Sequence, residues 1–316
     1  LHFGNVKFKS VEIGGNDCAE VSSADALTTA CKMWGLDSTK VGTALTSKMV
    51  GTRERVQVFY SMTQALDTRD AMVKKVYAEV FQIIVDNINK ELGAAAEKSS
   101  GKKHKFIGVL DIFGFESFDV NSFEQLCINF CNEKLQFHFN EHIFKMELAL
   151  YESEGITISG STFVDNQPTL DLLQLPGEGV FSMCDEEINV PRGTDETYLN
   201  KIFNKHFTRG KEHPNMLKPK ANQIKDKDFH LNFGILHYAG PVYYNVTGFL
   251  EKNKDQLHVD VVEVLASSSN GLIKHIFTKQ FEAMSASSGG RKKMKTLGGQ
   301  FKSQLNDLID TLNSTF

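Results

Sequence analysis

The most chemically pointed stretch of this sequence is an aspartate that directly follows an apolar run and stands three residues before a glycine, in Val109-Leu110-Asp111-Ile112-Phe113-Gly114-Phe115-Glu116. Residues 106–110 are continuously apolar and too few for a helix, which predicts a strand buried on both faces of a parallel sheet. Asp111 and the backbone N–H groups around Gly114 would then stand at the carboxyl edge of that sheet, where α/β folds bind ligands. A strand-end carboxylate of this kind can help hold Mg²⁺ through water, and neighbouring amides can grip a phosphate. Taken alone, Asp-x-x-Gly is a weak signal, more often a plain turn that ends a buried strand.

Two further clusters carry charge rather than catalysis. Arg53, Glu54 and Arg55 follow Gly51 and read as a solvated turn. Arg291, Lys292, Lys293 and Lys295 lie in a Gly/Ser-rich setting that predicts an exposed basic loop over 284–300. No aromatic residues interleave with these charges, which argues against nucleic acid as their partner.

The elements that must position these residues can be read from periodicity. Ser23 opens a helix over 24–34 that Gly35 closes. Val73, Val76, Val80, Phe81, Ile84, Ile88 and Leu92 recur at helical spacing, so a long amphipathic helix is expected over 70–92, ending at Gly93, with an exposed loop over 94–104. Asn121 or Ser122 caps a second long helix that apolar positions from Phe123 to Leu148 carry to Gly155. A helix of that length suits a strut or coupling element better than ordinary packing. Residues 156–228 alternate short helices with Pro and Gly breaks. Residues 229–238 and 241–246 flank Ala239-Gly240 as a hairpin, and helices follow at 257–265 and 301–312.

A chain of 316 residues, 41% hydrophobic, can bury a sizeable core, while a net charge of -4 attracts neither nucleic acid nor anionic membrane as a whole. Five scattered cysteines without a C-x-x-C pair fit buried thiols in a reducing, intracellular setting rather than disulfides or zinc. No apolar run reaches the roughly 18 residues that span a bilayer, and no signal peptide is visible.

The long strings narrow the choice. GVLDIFGFESF followed by NSFEQLCINFCNEKLQFHFN closely resembles the switch II loop and relay helix of myosins. That resemblance implies that Asp111 stands in the second shell of Mg²⁺, that the Gly114 amide bonds the γ-phosphate of ATP, and that Glu116 pairs with an arginine of switch I. Phe113 and Phe115 would seat the loop in alternative positions. HYAGPVYYNVTGFLEKNKD, 237–255, resembles the strands that lead from the central sheet of a myosin head toward its actin-binding surface. Residues 51–64 resemble an actin-facing loop, in which an acidic residue is expected sixteen positions before Asp-Ala-x-x-Lys; counting back from Asp70 gives Glu54. The basic residues at 291–295 match the flexible loop that myosins present to acidic actin, and CDEEINVPRGTDETYLNKIF, which includes Arg192, resembles the lower actin-binding subdomain. Two departures are visible: ITISGSTF lacks the tryptophan usual there, and Asn189-Val190 replaces the aromatic residue usual before Pro191.

The resemblance implies an α/β fold, mostly helical with a few strands of a mixed central sheet, as a fragment of the P-loop NTPase head. It divides the chain into a helical upper actin-binding part (1–104), the switch loop and relay helix (105–155), a lower actin-binding part (156–228), a sheet hairpin with following helices (229–283), the basic loop (284–300) and the start of a further helix (301–316). No G-x-x-x-x-G-K-[ST] occurs. The phosphate loop and switch I are therefore expected before Leu1, and a lever that would bind light chains or calmodulin after Phe316. The expected whole is a cytoplasmic, cytoskeletal motor that hydrolyses ATP with Mg²⁺ and pulls on actin filaments, with this fragment inactive by itself. The alternatives are a non-catalytic actin-binding module on the same scaffold, or an unrelated NTPase that shares only the strand and turn.

Overall fold

The computed structural model describes residues 1–51, 54–100, 107–156, 165–208, 210, 212–220, 228–254, 257–286 and 296–314. In chain order the elements are β1 (Phe8–Ile13), β2 (Asn16–Val21), α1 (Ala24–Trp34), α2 (Ser38–Thr46), β3 (Ser47–Val50), β4 (Val56–Phe59), α3 (Met62–Ser100), α4 (Phe123–Phe139), a π-helical turn (Asn140–Phe144) and α5 (Lys145–Ser153). Then follow α6 (Gln167–Gln174), α7 (Val180–Glu187), α8 (Asp195–His206), β5 (Met216–Leu217), β6 (Asn232–His237), β7 (Gly240–Asn245), α9 (Phe249–Asn253), α10 (Val259–Ala266), α11 (Gly271–Ala286) and α12 (Leu297–Asn313). They group into two compact units, one of residues 1–108 and 256–293, the other of 109–255 and 294–316.

The first unit is built on two hairpins and a helical core. Gly14 and Gly15, at φ 59° and 81°, supply the left-handed pair that a tight turn between β1 and β2 requires. Gly35 ends α1 at φ 64°, and a Cβ there would stand 2.4 Å from Ser269 Oγ, so glycine serves both the cap and the close approach. The long helix α3 begins at Met62 rather than Asp70, because Ser61 and Gln64 form a reciprocal cap: Ser61 N donates to Gln64 Oε1 at 3.0 Å and Gln64 N to Ser61 Oγ at 3.3 Å. It also runs through Gly93 to Ser100, where a loop was expected. The Ala-Ala-Ala-Glu-Lys run after that glycine has strong helix propensity and outweighs one unfavourable residue. Leu45, Met72, Val261 and Phe277 centre the core, whereas Tyr77, Phe81, Ile84, Ile88 and Leu92 on the later turns of α3 are exposed.

The second unit surrounds α4. Ser122 is its N-cap, with Ser122 N donating to Gln125 Oε1 at 3.0 Å, while Asn121 closes the preceding turn by accepting from Phe118 N at 2.7 Å. Phe123 meets Phe249 edge-on at 5.4 Å and Phe181 at 6.1 Å, and Phe130 meets Phe181 at 5.2 Å. The expected long helix is thus present from Phe123 to Ser153, interrupted by the π-helical turn. Strands β5, β6 and β7 form an antiparallel sheet with the expected hairpin, His237 opposite Gly240. Asp195, at the start of α8, accepts from Gly248 N at 2.7 Å and Leu250 N at 3.0 Å, which fastens the segment after β7. Helix α12 starts at Leu297, within the expected loop, because Thr296 caps it by accepting from Gly299 N at 3.0 Å.

Two expectations about the sheet require correction. Residues 107–110 are not a buried strand: Ile107 is 99% and Val109 93% exposed, and no strand pairs with them among the described residues. An apolar run becomes a strand only when a neighbour satisfies its backbone groups, and none does so there among the described residues. All strand pairs among the described residues are antiparallel, and parallel pairing is confined to the bridge between Asn121 and Tyr244. The cysteines behave as core thiols, with Cys131 half-buried and the other four buried. Burial first, and Glu124 second, push the Cys127 thiol up to about 12.

Burial also holds His138, His206 and His213 below the ordinary imidazole value of 6.5. Between their folded values and 6.5 the unfolded chain binds more protons, so stability falls as pH drops through 6.5 and levels off below the folded values. The urea midpoint of unfolding is therefore expected to be lower at pH 5.5 than at pH 7.5. A midpoint that falls as pH rises from 5.5 to 7.5 would contradict the downward shift that partial or full burial gives these rings.

Candidate functional site

The Asp111–Glu116 segment changes character along its length. Asp111, Phe113 and Gly114 are exposed, and a Cβ placed on Gly114 would meet nothing within 4 Å. Phe115 is the first whose side chain is held, its ring edge-on to His237 at 5.4 Å and to Tyr238 at 5.8 Å. Glu116 is fastened through its backbone on both sides by Asn129 of α4: Glu116 N donates to Asn129 Oδ1 at 2.8 Å, and Asn129 Nδ2 donates to Glu116 O at 2.7 Å. One turn on, Asn132 Nδ2 donates to Phe113 O at 3.0 Å. The Glu116 carboxylate accepts from Gln125 Nε2 at 3.2 Å. The open end of the loop is thus available to a ligand, and the closed end is tied to a long helix.

Behind this attachment lies a buried polar cluster. Glu133 and His237 have fully buried side chains joined at 2.8 Å. His237 Nε2 lies 2.9 Å from Tyr244 Oη, which accepts from Asn129 Nδ2 at 2.8 Å. Burial above all keeps the Tyr244 phenol far above its usual value, so it stays a hydroxyl. Asn166, just before α6, donates to Glu133 Oε1 at 2.7 Å. Sequence reasoning missed Asn129, Asn132, Glu133 and Gln125. The available signal was polar residues among the apolar positions of α4, since a polar group on a buried helix face needs a partner.

The charged residues lie apart from this loop in sequence. Glu54 and Arg55 sit in the turn between β3 and β4, where Gly51 at φ 111° brings the chain round; a Cβ on it would fall 2.1 Å from Glu54 O. Asp260 Oδ2 accepts from Met49 N at 2.6 Å and braces that hairpin. Arg192, exposed between α7 and α8, is the one non-glycine among the described residues with positive φ, 64°. Arg53, Arg291, Lys292, Lys293 and Lys295 lie outside the described residues, as does the ITISGSTF stretch from its second residue. Among the described residues no group of three His, Cys, Asp or Glu side chains could hold a metal, and no helix is long and apolar enough to cross a membrane.

The family model described as Myosin head (motor domain) matches residues 1–316. The chain is 42% identical to the myosin-I heavy chain of Dictyostelium discoideum, aligned over 100% of this chain and 13% of that protein. It is 40% identical to human unconventional myosin-Vc, over 100% of this chain and 18% of that protein, and 40% identical to Drosophila melanogaster myosin-VIIa, over 99% and 14%. The chain spans less than a fifth of each of these relatives. With the whole chain matched and an anchored DIFGFE loop leading into a long helix, this protein belongs to the myosin head family.

Proposed function

We propose that this chain is part of an actin-based motor head that couples ATP hydrolysis to force on actin filaments, and that 111–116 is its γ-phosphate-sensing loop. The observation that carries the reading is the double backbone attachment of Glu116 to Asn129, reinforced by Asn132 on Phe113. A loop tied to a helix at one end and open at the other converts a ligand contact into helix displacement, because packed elements move as units.

In this reading the exposed Gly114 amide donates to the γ-phosphate and Asp111 contributes a carboxylate near Mg²⁺. The residues fit that subordinate role: one exposed carboxylate and an unobstructed amide can share an ion and a phosphate held mainly by residues outside the chain. When bound, Mg²⁺ supplies charge neutralisation of the phosphates. Glu116 pairs with an arginine outside the chain by exchanging its Gln125 contact. Actin is met by Glu54 with Arg53 and Arg55, by Arg192, and by Arg291, Lys292, Lys293 and Lys295. Light chains or calmodulin join through a lever outside this segment, and the motor works in the cytoplasm on the cytoskeleton.

Steady-state phosphate release by the motor head that carries this segment tests the reading. Turnover should rise on adding actin filaments and lose that activation as salt rises, since loop charges steer encounter within a Debye length of about 8 Å at physiological salt. The 316 residues by themselves should show no turnover. A head that binds actin without hydrolysing ATP would instead support the non-catalytic module.

A further inference from the structure

We propose that Glu133 is a positioning residue for the 111–116 loop, acting through a hydrogen-bond chain of fixed direction that runs from Glu133 through His237, Tyr244 and Asn129 to the backbone of Glu116. The direction follows from the donor and acceptor inventory. Both oxygens of Glu133 face obligate donors, Asn166 Nδ2 at 2.7 Å on Oε1 and Tyr238 N at 3.2 Å on Oε2, so Oε2 acts as the acceptor for His237 Nδ1 at 2.8 Å. A His237 proton therefore resides on Nδ1, and Nε2, 2.9 Å from Tyr244 Oη, is the acceptor that the Tyr244 hydroxyl hydrogen requires. The Tyr244 oxygen, with its proton committed, accepts from Asn129 Nδ2 at 2.8 Å. The Asn129 amide is then oriented so that Nδ2 faces Glu116 O and Oδ1 faces Glu116 N, the pairing that holds the loop.

Each buried donor meets one acceptor, and reversing the first link disturbs every later one. With the proton on Nε2, His237 would donate to Tyr244 Oη, and the phenol hydrogen would face the Asn129 NH₂, itself a donor. Relief by rotation of the Asn129 amide would place like groups against both Glu116 N and Glu116 O. Links of this kind transmit because leaving a buried donor unpaired costs more than any single bond contributes. Asn166 supports the assignment: its Nδ2 donates to Glu133 Oε1 and Glu133 O, while its buried Oδ1 finds no partner among the described residues. The carboxylate thus dictates the orientation of that amide too. The name of the loop as a phosphate sensor rests on the function proposed above; the chain of bonds does not.

The test is made on the 316-residue chain without nucleotide or actin, so a loop that proves not to sense phosphate leaves its outcome untouched. Two-bond ¹⁵N–¹H correlation spectra report the His237 tautomer, and hydrogen exchange reports the Glu116 amide. The wild-type chain should show Nδ1–H. Glu133→Met, which removes both acceptor oxygens, should shift His237 to Nε2–H and speed Glu116 exchange by about tenfold or more, with Leu199 and Ile202 in α8 unchanged. Tyr244→Phe keeps the ring in the core, and should retain Nδ1–H while speeding Glu116 exchange similarly, so the inference stays testable if Glu133→Met does not fold. A wild-type Nε2–H tautomer would overturn it. So would unchanged Glu116 exchange in Tyr244→Phe, or equal acceleration in α8, which would mark general loosening.

Discussion

Gly114→Ala in the motor head carrying this segment is expected to lower ATP turnover by about a hundredfold, the scale on which a single preorganised donor to a developing oxyanion contributes. The same change should leave the isolated chain as stable as before. Gly114 is not among the glycines with positive φ, and its added Cβ would stand in open space, so neither backbone strain nor a clash opposes alanine. Gly→Ala at such a position alters stability by less than about 1 kcal/mol, mostly through the unfolded state. Loss of turnover without loss of stability would therefore support the proposed contact between the Gly114 amide and phosphate, because in the protein itself the added methyl group meets nothing. Phosphate-release assays on the head and thermal unfolding of the 316-residue chain separate the two effects. Full turnover in the alanine variant would remove Gly114 from the phosphate contacts.

Phe123→Ala should destabilise the second unit by about 3–5 kcal/mol, the range for truncating a buried phenylalanine. Phe123 is 1% exposed at the first turn of α4, between Phe181 of α7 and Phe249 of α9. Removing the ring empties a site that three helices line, and close-packed neighbours relax into such a space only in part. At about 1.4 kcal/mol per tenfold, the unfolding constant should rise by roughly a thousandfold. The slowest amides of α4 should register that change in hydrogen exchange. Phe123→Leu, which keeps most of the volume, should lose far less. A loss under about 1 kcal/mol for alanine would mean that α7 and α9 close over the gap.

Local signals in the sequence suffice where one residue or one spacing decides the outcome. Gly35 ends α1 where a left-handed residue is needed, and Ala239-Gly240 marks the hairpin between β6 and β7. The helical run that begins after Ser122 follows from its apolar spacing, although the π-helical turn within it does not. The start of α3 was also legible in Ser61-x-x-Gln64, a capping signal that the apolar spacing alone passes over. The 107–110 run shows the opposite case, since its composition suits a strand but pairing depends on a neighbour that composition cannot supply.

The DIFGFE loop, its place before a long helix and the family of the chain were determined by the sequence alone, because those rest on contiguous residues. What holds the loop was decided only by the tertiary structure. Asn129 and Glu133 are ordinary polar residues of a helix until folding brings Tyr244, 115 positions from Asn129, and His237, 104 positions from Glu133, against them. Hydrogen-bond partners so distant in sequence leave no periodicity, and burial alone makes each of them obligatory.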